Sequence, residues 1–515
     1  MMRARRVCLI LLIAALAVTA GCSVNPVTGK RELTLVSESS EIQMGAENYL
    51  PMQQSQGGQY DIDPVLTEYV ASVGNRLVAV SDRELPYEFV VLNNSVPNAW
   101  ALPGGKIAIN RGILTELNSE AELAAVLAHE IVHAAARHSA KRMERSMLLQ
   151  SVVLATAVAT SDSDYGNFAV GGASVATQML NQSYGRGDEL ESDKYGMLYM
   201  SRAGYDPQGA VELQKTFVRL SDGQETGWLT GLFASHPPSE ERVRANIEMA
   251  ATLPPGGETG EDRFRAAMAK TTAARPAYEA YEEGRKALAD DKPDRAIEQA
   301  NKGIGMLPEE ANFYALRGDA RILNKQYDMA LTNFNSAIRR RDNFFYYYLQ
   351  RGLIQEELGH DDLAETDLET SITMLPTAAA HYALGDITAR RGNKVAAIEH
   401  YALVAQGQGE IAQSANVALV KLDLADNPAK YLPKRCDPDS SGNLVVSVKN
   451  NTPLAITGVR IAVQYTDNTG IQRRIDRSIS GSVQPGQIAS VATGLGPYIA
   501  GRQCPATVTA ARIAE

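Results

Sequence analysis

The chain of 515 residues is poor in cysteine and histidine, with four and seven, and it has no surplus of positive charge. Its formal net charge is −10 and falls further once a leader carrying Arg3, Arg5 and Arg6 is removed, which argues against nucleic acid as a partner. The apolar run from Val7 to Val18 is too short to span a bilayer as a stable anchor, so it reads as a targeting segment. No cysteine lies between Cys22 and Cys436, which excludes a cysteine-ligated structural zinc in that stretch.

With so few histidines, their placement is informative. Two of them stand in His129-Glu130-Ile131-Val132-His133. Four apart on a helix, both imidazoles project from one face and can reach a single metal ion. Glu130 lies about 100° around the same helix, beside the two-histidine axis, where a carboxylate can take a proton from a metal-bound water. Ser119-Glu120-Ala121-Glu122 reads as an N-cap and capping box, and Leu123 to Ala136 contains no proline or glycine, so the motif sits inside a helix. His138 lies five residues past His133, about 140° off the ligand face, and is expected at the surface near the helix end.

The leader ends in Val18-Thr19-Ala20-Gly21-Cys22. Small residues directly before a cysteine resemble a bacterial lipobox, in which Cys22 is lipidated and becomes the mature N-terminus. A triacylated cysteine anchors stably. Ser23 after it points to the outer membrane, with the chain on the periplasmic face of the envelope. Cys436 and Cys504 then remain, and an isolated pair in an exported protein is most simply one disulfide.

Glycines 284, 318, 352 and 385 recur at spacings of 34, 34 and 33, and alanines 296, 330, 364 and 397 keep the same intervals. Small residues at two fixed offsets resemble tetratricopeptide repeats, an α-solenoid whose concave face binds a partner protein. From 436 onward Leu444–Val448, Val459–Tyr465 and Ile488–Val491 are strand-like, with a turn at Asp467–Gly470, and read as a small β-sandwich. The expected layout is an α+β multidomain chain: signal peptide 1–21, tether 22–36, a mainly helical catalytic domain 37–253, linker 254–275, repeats 276–430 and sandwich 436–515. Between the catalytic motifs, Met147 to Ala159 reads as a core helix and Gly166 to Gly172 as a mobile flap.

Three further segments accompany the histidine motif: Pro97-Asn98-Ala99-Trp100-Ala101-Leu102-Pro103-Gly104-Gly105, Glu189-Leu190-Glu191-Ser192-Asp193, and Ser235-His236-Pro237-Pro238 with Arg242. Together with HEIVH, in this order, they resemble the gluzincin metallopeptidases of the HtpX/BepA type, and the repeats place the chain nearest the BepA-like periplasmic proteases. The resemblance implies one Zn2+ per chain, held by His129, His133 and Glu189, with Asp193 fixing the tautomer of a ligand histidine. It implies an edge strand at Asn98, Ala99 and Trp100 that captures an extended peptide by strand addition. His236 would polarise the scissile carbonyl or cap the zinc in a closed state. Glu189 and Asp193 share a helix face, whereas Glu191 points about 200° away. The expected function is a lipid-anchored zinc metalloendopeptidase cleaving misfolded or misassembled envelope proteins. The alternative is a periplasmic assembly factor or chaperone whose repeats bind partners while proteolysis is minor or latent.

Overall fold

The computed structural model describes residues 22–142, 144, 184–223, 236–466, 471–498 and 504–514. The leader, the helix and flap expected between Met147 and Gly172, and the turn at Asp467–Gly470 lie outside them. Two compact units divide the chain, Met1–Tyr347 and Tyr348–Glu515. Among the described residues no helix is long and apolar enough to cross a membrane.

The first unit opens with a hairpin, β1 (Cys22–Val24) paired antiparallel to β2 (Arg31–Leu33). The stretch expected as a tether is instead packed down. Asn25 Nδ2 donates to Ala136 O at 3.0 Å, Val27 and Val36 are buried, and the Leu35 and Val36 amides both donate to Glu144 Oε1. Helices α1 (Glu38–Ser55) and α2 (Pro64–Val78) follow, then a three-stranded sheet. Its central β5 (Lys106–Asn110) runs parallel to β3 (Glu88–Leu92) and antiparallel to the edge strand β4 (Ala99–Leu102).

Helix α3 (Glu120–Ala135) carries the histidine motif and is buried along its whole length. The Ser119 hydroxyl accepts from Glu122 N at 3.1 Å and starts it, as the capping signature predicts. It packs against α2, α4 (Arg186–Arg202) and α5 (Gln208–Gly223). Leaving a polar group unpaired in such a position costs about 1–3 kcal/mol, so the few polar residues of α3 need partners or a purpose.

The segment expected as a linker is folded too. After α6 (Glu240–Ala250), Thr259 O accepts from Ala121 N at 3.0 Å and Arg263 pairs with Glu120. Helix α7 (Glu261–Ala267) buries Phe264. Its glycines shape turns there instead of loosening the chain: Gly256, Gly257 and Gly260 all have positive φ. The first repeats belong to this same unit. Glu310 accepts from Asn93 Nδ2 at 2.9 Å and from Tyr278 OH at 2.5 Å, while the Arg111 guanidinium lies 3.5 Å over the Tyr278 ring.

Repeat helices run in pairs from Arg275–Ala289 and Pro293–Met306 to Ala378–Arg390 and Lys394–Ala405, with Glu410–Asp423 after them. The periodic residues explain the pairing. Alanines 296, 330, 364 and 397 are fully buried. A Cβ on Gly284, Gly318, Gly352 or Gly385 would lie 2.6 to 2.9 Å from a packed neighbour: Leu316, Phe334, Leu368 and Tyr401 in turn.

The tail holds two antiparallel three-stranded sheets, in the orders β10–β7–β6 and β11–β8–β9. Here β6 is Lys434–Pro438, β7 Leu444–Lys449, β8 Ile456–Thr466, β9 Gln472–Ser478, β10 Ile488–Ala492 and β11 Ala506–Ile513. Alternate residues of both sheets, Val446 and Val448 with Ile461, Val463 and Val508, share one apolar core. A Cys436–Cys504 disulfide joins β6 to the residue before Pro505 and β11, closing a separation of 68 residues. In the chain-entropy account such a closure is worth roughly 4 kcal/mol.

Candidate metal centre

Helices α3 and α4 approach closely where the motifs face each other. A Cβ on Gly196 would stand 3.3 Å from His129 N, so glycine there lets the two backbones meet. One and two turns earlier on α4, Asp193 and Glu189 turn inward at 7% and 2% exposure. The loop before α6 brings in His236, and the first turn of α6 brings Arg242.

Four side chains converge: His129, His133, Glu189 and His236 each offer a donor atom, and all four atoms lie within 4.8 Å of one another. His129 Nε2 is 3.0 Å from His133 Nε2 and 3.3 Å from His236 Nδ1, and His236 Nδ1 is 3.0 Å from Glu189 Oε1. Imidazole nitrogens with one carboxylate, buried and convergent, form a donor set that suits zinc. Glu130 stands beside them, 2% exposed, with Oε1 3.5 Å from His236 Nε2. Its Oε2 has no hydrogen-bond partner among the described residues, nor has His236 Nε2. These donors and orphaned atoms fit a metal with a reacting group beside it.

His129 and His133 are each held from behind. His129 Nδ1 lies 2.9 Å from Asp193 Oδ1, and both Asp193 oxygens accept from Arg242 at 2.7 Å. Arg242 also stands 2.8 Å from Glu189 Oε2, off-line for a hydrogen bond but close enough for an ion pair. His133 Nδ1 lies 2.9 Å from His138 Nδ1, and His138 Nε2 is 3.2 Å from Glu191 Oε1.

His138 is therefore not a surface residue, as its place on an extended helix predicts; it is fully buried. The reason is local. Helix α3 stops at Ala135, and Arg137 takes a left-handed φ of 63°, which swings the chain and His138 back toward His133. Arg137 is secured there by Glu41, Thr34 Oγ1 and Val36 O. Glu191 does point away from Glu189, but into His138 instead of solvent. Tyr184, which no sequence signal marks, stacks on His133 with ring centroids 3.7 Å apart.

Burial pushes the Glu130 carboxyl above its ordinary range despite His236 and His129. It also holds His133 well below 6.5. At His129 burial opposes protonation, but Glu189 and Asp193 outweigh it and raise the value to about 10. Glu189 is held well below 4.5, the His236 and His129 charges overcoming its burial.

Of the three residues expected to take substrate, Asn98 directly precedes β4, and Ala99 and Trp100 lie in it. Alternation sends Ala99 to a cavity shared with Val126, His129, Glu130, Met197 and Phe217. It sends Trp100 the other way, into a cluster with Met52, Val90 and Leu92, so Trp100 can meet a peptide only through its backbone. β4 pairs with β5 on one side and with no strand on the other among the described residues.

Residues 64–250 match Peptidase family M48. The beta-barrel assembly-enhancing protease of Escherichia coli is 28% identical over 308 residues, 56% of this chain and 60% of that one. Its namesake in Yersinia pestis is 36% identical over 152 residues, covering 28% and 31%. The mitochondrial metalloendopeptidase OMA1 of Schizosaccharomyces pombe is 32% identical over 223 residues, covering 42% and 64%. The chain spans less than two thirds of the length of each of these relatives.

Proposed function

We propose, from the Peptidase family M48 domain that residues 64–250 carry, that the chain is a zinc metalloendopeptidase of the bacterial envelope. The observation that carries this reading is the convergence of His129, His133, Glu189 and His236 beside a buried Glu130. Bound there, zinc would supply Lewis acidity and lower the pKa of water to about 7. Glu130, with its proton affinity raised by burial and one oxygen unpartnered, receives the proton and passes it to the leaving amine. The edge of β4 that no strand pairs among the described residues aligns an extended peptide backbone across the site, and the Ala99 cavity accepts a side chain next to the scissile bond. Asp193 and His138 keep the ligand histidines in the tautomers that metal binding needs.

Lipid on Cys22 holds the chain at the periplasmic face of the outer membrane, and the repeats select the client. The names of the bacterial relatives, which concern beta-barrel assembly, make misassembled envelope proteins the substrate class we favour. His236 supports a second reading, in which proteolysis is latent. It stands among the donors, so it would complete four protein ligands and leave no position for water.

Glu130→Gln tests the enzyme. It is expected to keep stoichiometric zinc and a wild-type unfolding profile while cutting an unfolded protein substrate at least a hundredfold more slowly. Undiminished proteolysis with full zinc would remove Glu130 from this role. A His236→Ala chain that cleaves faster than wild type favours the latent form.

A further inference from the structure

We propose that the outward face of the β1–β2 hairpin, continued by Leu35, rests on the membrane surface next to the lipid on Cys22. This extends the lipid-anchor reading above and rests on it. The hairpin is built in reverse of one meant for water. From Arg31 onward side chains alternate, with Arg31, Leu33 and Leu35 exposed and Glu32, Thr34 and Val36 turned to the body. The inward set is mainly polar and spoken for. Glu32 pairs with Lys141 at 2.9 Å and accepts from Asn25, and Thr34 Oγ1 accepts from Arg137 at 2.9 Å.

The outward set is mainly apolar. Ladder partners share a face, so Val24 stands with Arg31, and the register sets Leu33 opposite Cys22. Val24 is 59% exposed, Leu33 36% and Leu35 47%. Exposed Arg31 on the same face suits the anionic headgroups of a bilayer surface.

The choice of occupant follows from the chain itself. The apolar leader runs into Ala20-Gly21, and β1 begins at Cys22, so no slack separates the lipid from this face. Asn25 then bonds Ala136 O, three residues past His133. The bilayer is thereby registered to the end of the metal-binding helix, and the site cannot wander as it would on a free tether.

The mature chain makes the test direct. Cys436 and Cys504 are bridged and Cys22 is acylated, so Leu35→Cys supplies the one reactive thiol. An environment-sensitive dye placed there, on acylated full-length protein in phosphatidylethanolamine and phosphatidylglycerol vesicles, is expected to shift to the blue. Lipid-borne nitroxide should quench it severalfold more than soluble nitroxide does, and Leu33→Asp in the same protein should reverse that ratio. Water-like emission on protein whose intact mass shows three acyl chains overturns the docked hairpin and leaves the lipid anchor standing. An unmodified Cys22 overturns both.

Discussion

His129 and His133 leave one helix four residues apart, yet their far nitrogens are held in opposite ways. Behind His129 stands a carboxylate already neutralised by a bidentate arginine, all of it buried: Asp193 and Arg242 have side chains about 5% exposed. Behind His133 stands a second imidazole, His138, that hands the bond on to Glu191 and from there to Lys30, whose side chain is 70% exposed. One support ends inside the protein and the other runs out to water. A buried charge must be paired to be tolerated, so the first is rigid and costly to cut. A neutral relay needs only matched tautomers, with hydrogen on His133 Nδ1 and on His138 Nε2, so the second should yield more gently.

Cutting the buried side gives the largest effect. Arg242→Ala strands Asp193 and Glu189 without their cation, and removing one partner of a buried pair costs about 3–5 kcal/mol. The metal-free protein should lose that much in denaturant unfolding, whereas Glu191→Ala, which leaves only the buried His138 Nε2 without its acceptor, should cost about 1–3 kcal/mol. Equal losses would erase the contrast. Zinc affinity separates the two sides on a finer scale. Losing the group that orients a ligand histidine weakens metal binding about 10–100-fold. Asp193→Ala is expected near the top of that span and His138→Ala near the bottom, by chelator competition. Wild-type affinity in His138→Ala would show that the relay is idle.

Protons sharpen the comparison again. His129 is raised from 6.5 to about 10, so its contribution to the metal-free fold is complete below about pH 6.5 and drains away as pH rises toward 10. Glu189 and Asp193 are depressed, so their contribution is present above the ordinary carboxylate range and is lost on acidification. Because His133 is held well below 6.5, the unfolded chain binds a proton there that the folded chain does not, so the metal-free chain should be most stable near pH 6.5 and melt lower at pH 9 than at pH 6.5. His133, held well below 6.5, has no proton to give up at neutrality. Zinc binding at pH 7.5 should release about one proton, from His129, measured by calorimetry in buffers of different ionisation enthalpy. A release near zero contradicts the asymmetry.

Much of this architecture is legible locally. The HEIVH helix announces itself by its cap and composition, and the repeats by small residues that only close helix packing explains. Glu189 and Asp193 follow from a four-residue spacing once their helix is known. What escapes is whatever depends on the chain changing direction. His138 is misplaced by extending an ideal helix through Arg137, where nothing in the sequence marks a left-handed residue. The tether and linker look free because glycine, proline and polar residues promise solvent, yet Asn25 and Thr259 spend their hydrogen-bonding groups on the two ends of α3. Tyr184 meets His133 only through tertiary packing, which no periodicity encodes.

The smallest expected effect lies at the outer end of the relay. Lys30 and Glu191 approach to 3.5 Å with side chains 70% and 18% exposed, so solvent and salt screen the pair and the lysine gives up rotamer freedom to make it. Exposed pairs of this kind contribute about 0–1 kcal/mol. Glu191 loses little when Lys30 goes, because His138 holds it from the inner side and Lys141 adds a second positive charge nearby. Lys30→Ala should therefore leave zinc affinity and the unfolding midpoint where they are in wild type. Glu191→Gln should do the same, because its amide oxygen still accepts from His138 Nε2. Glu191→Ala, lacking any acceptor, should loosen zinc measurably. If Lys30→Ala weakens zinc as much as Glu191→Ala does, the His133 side depends on charge reaching in from the surface, and the division between a buried ionic support and a neutral relay is wrong.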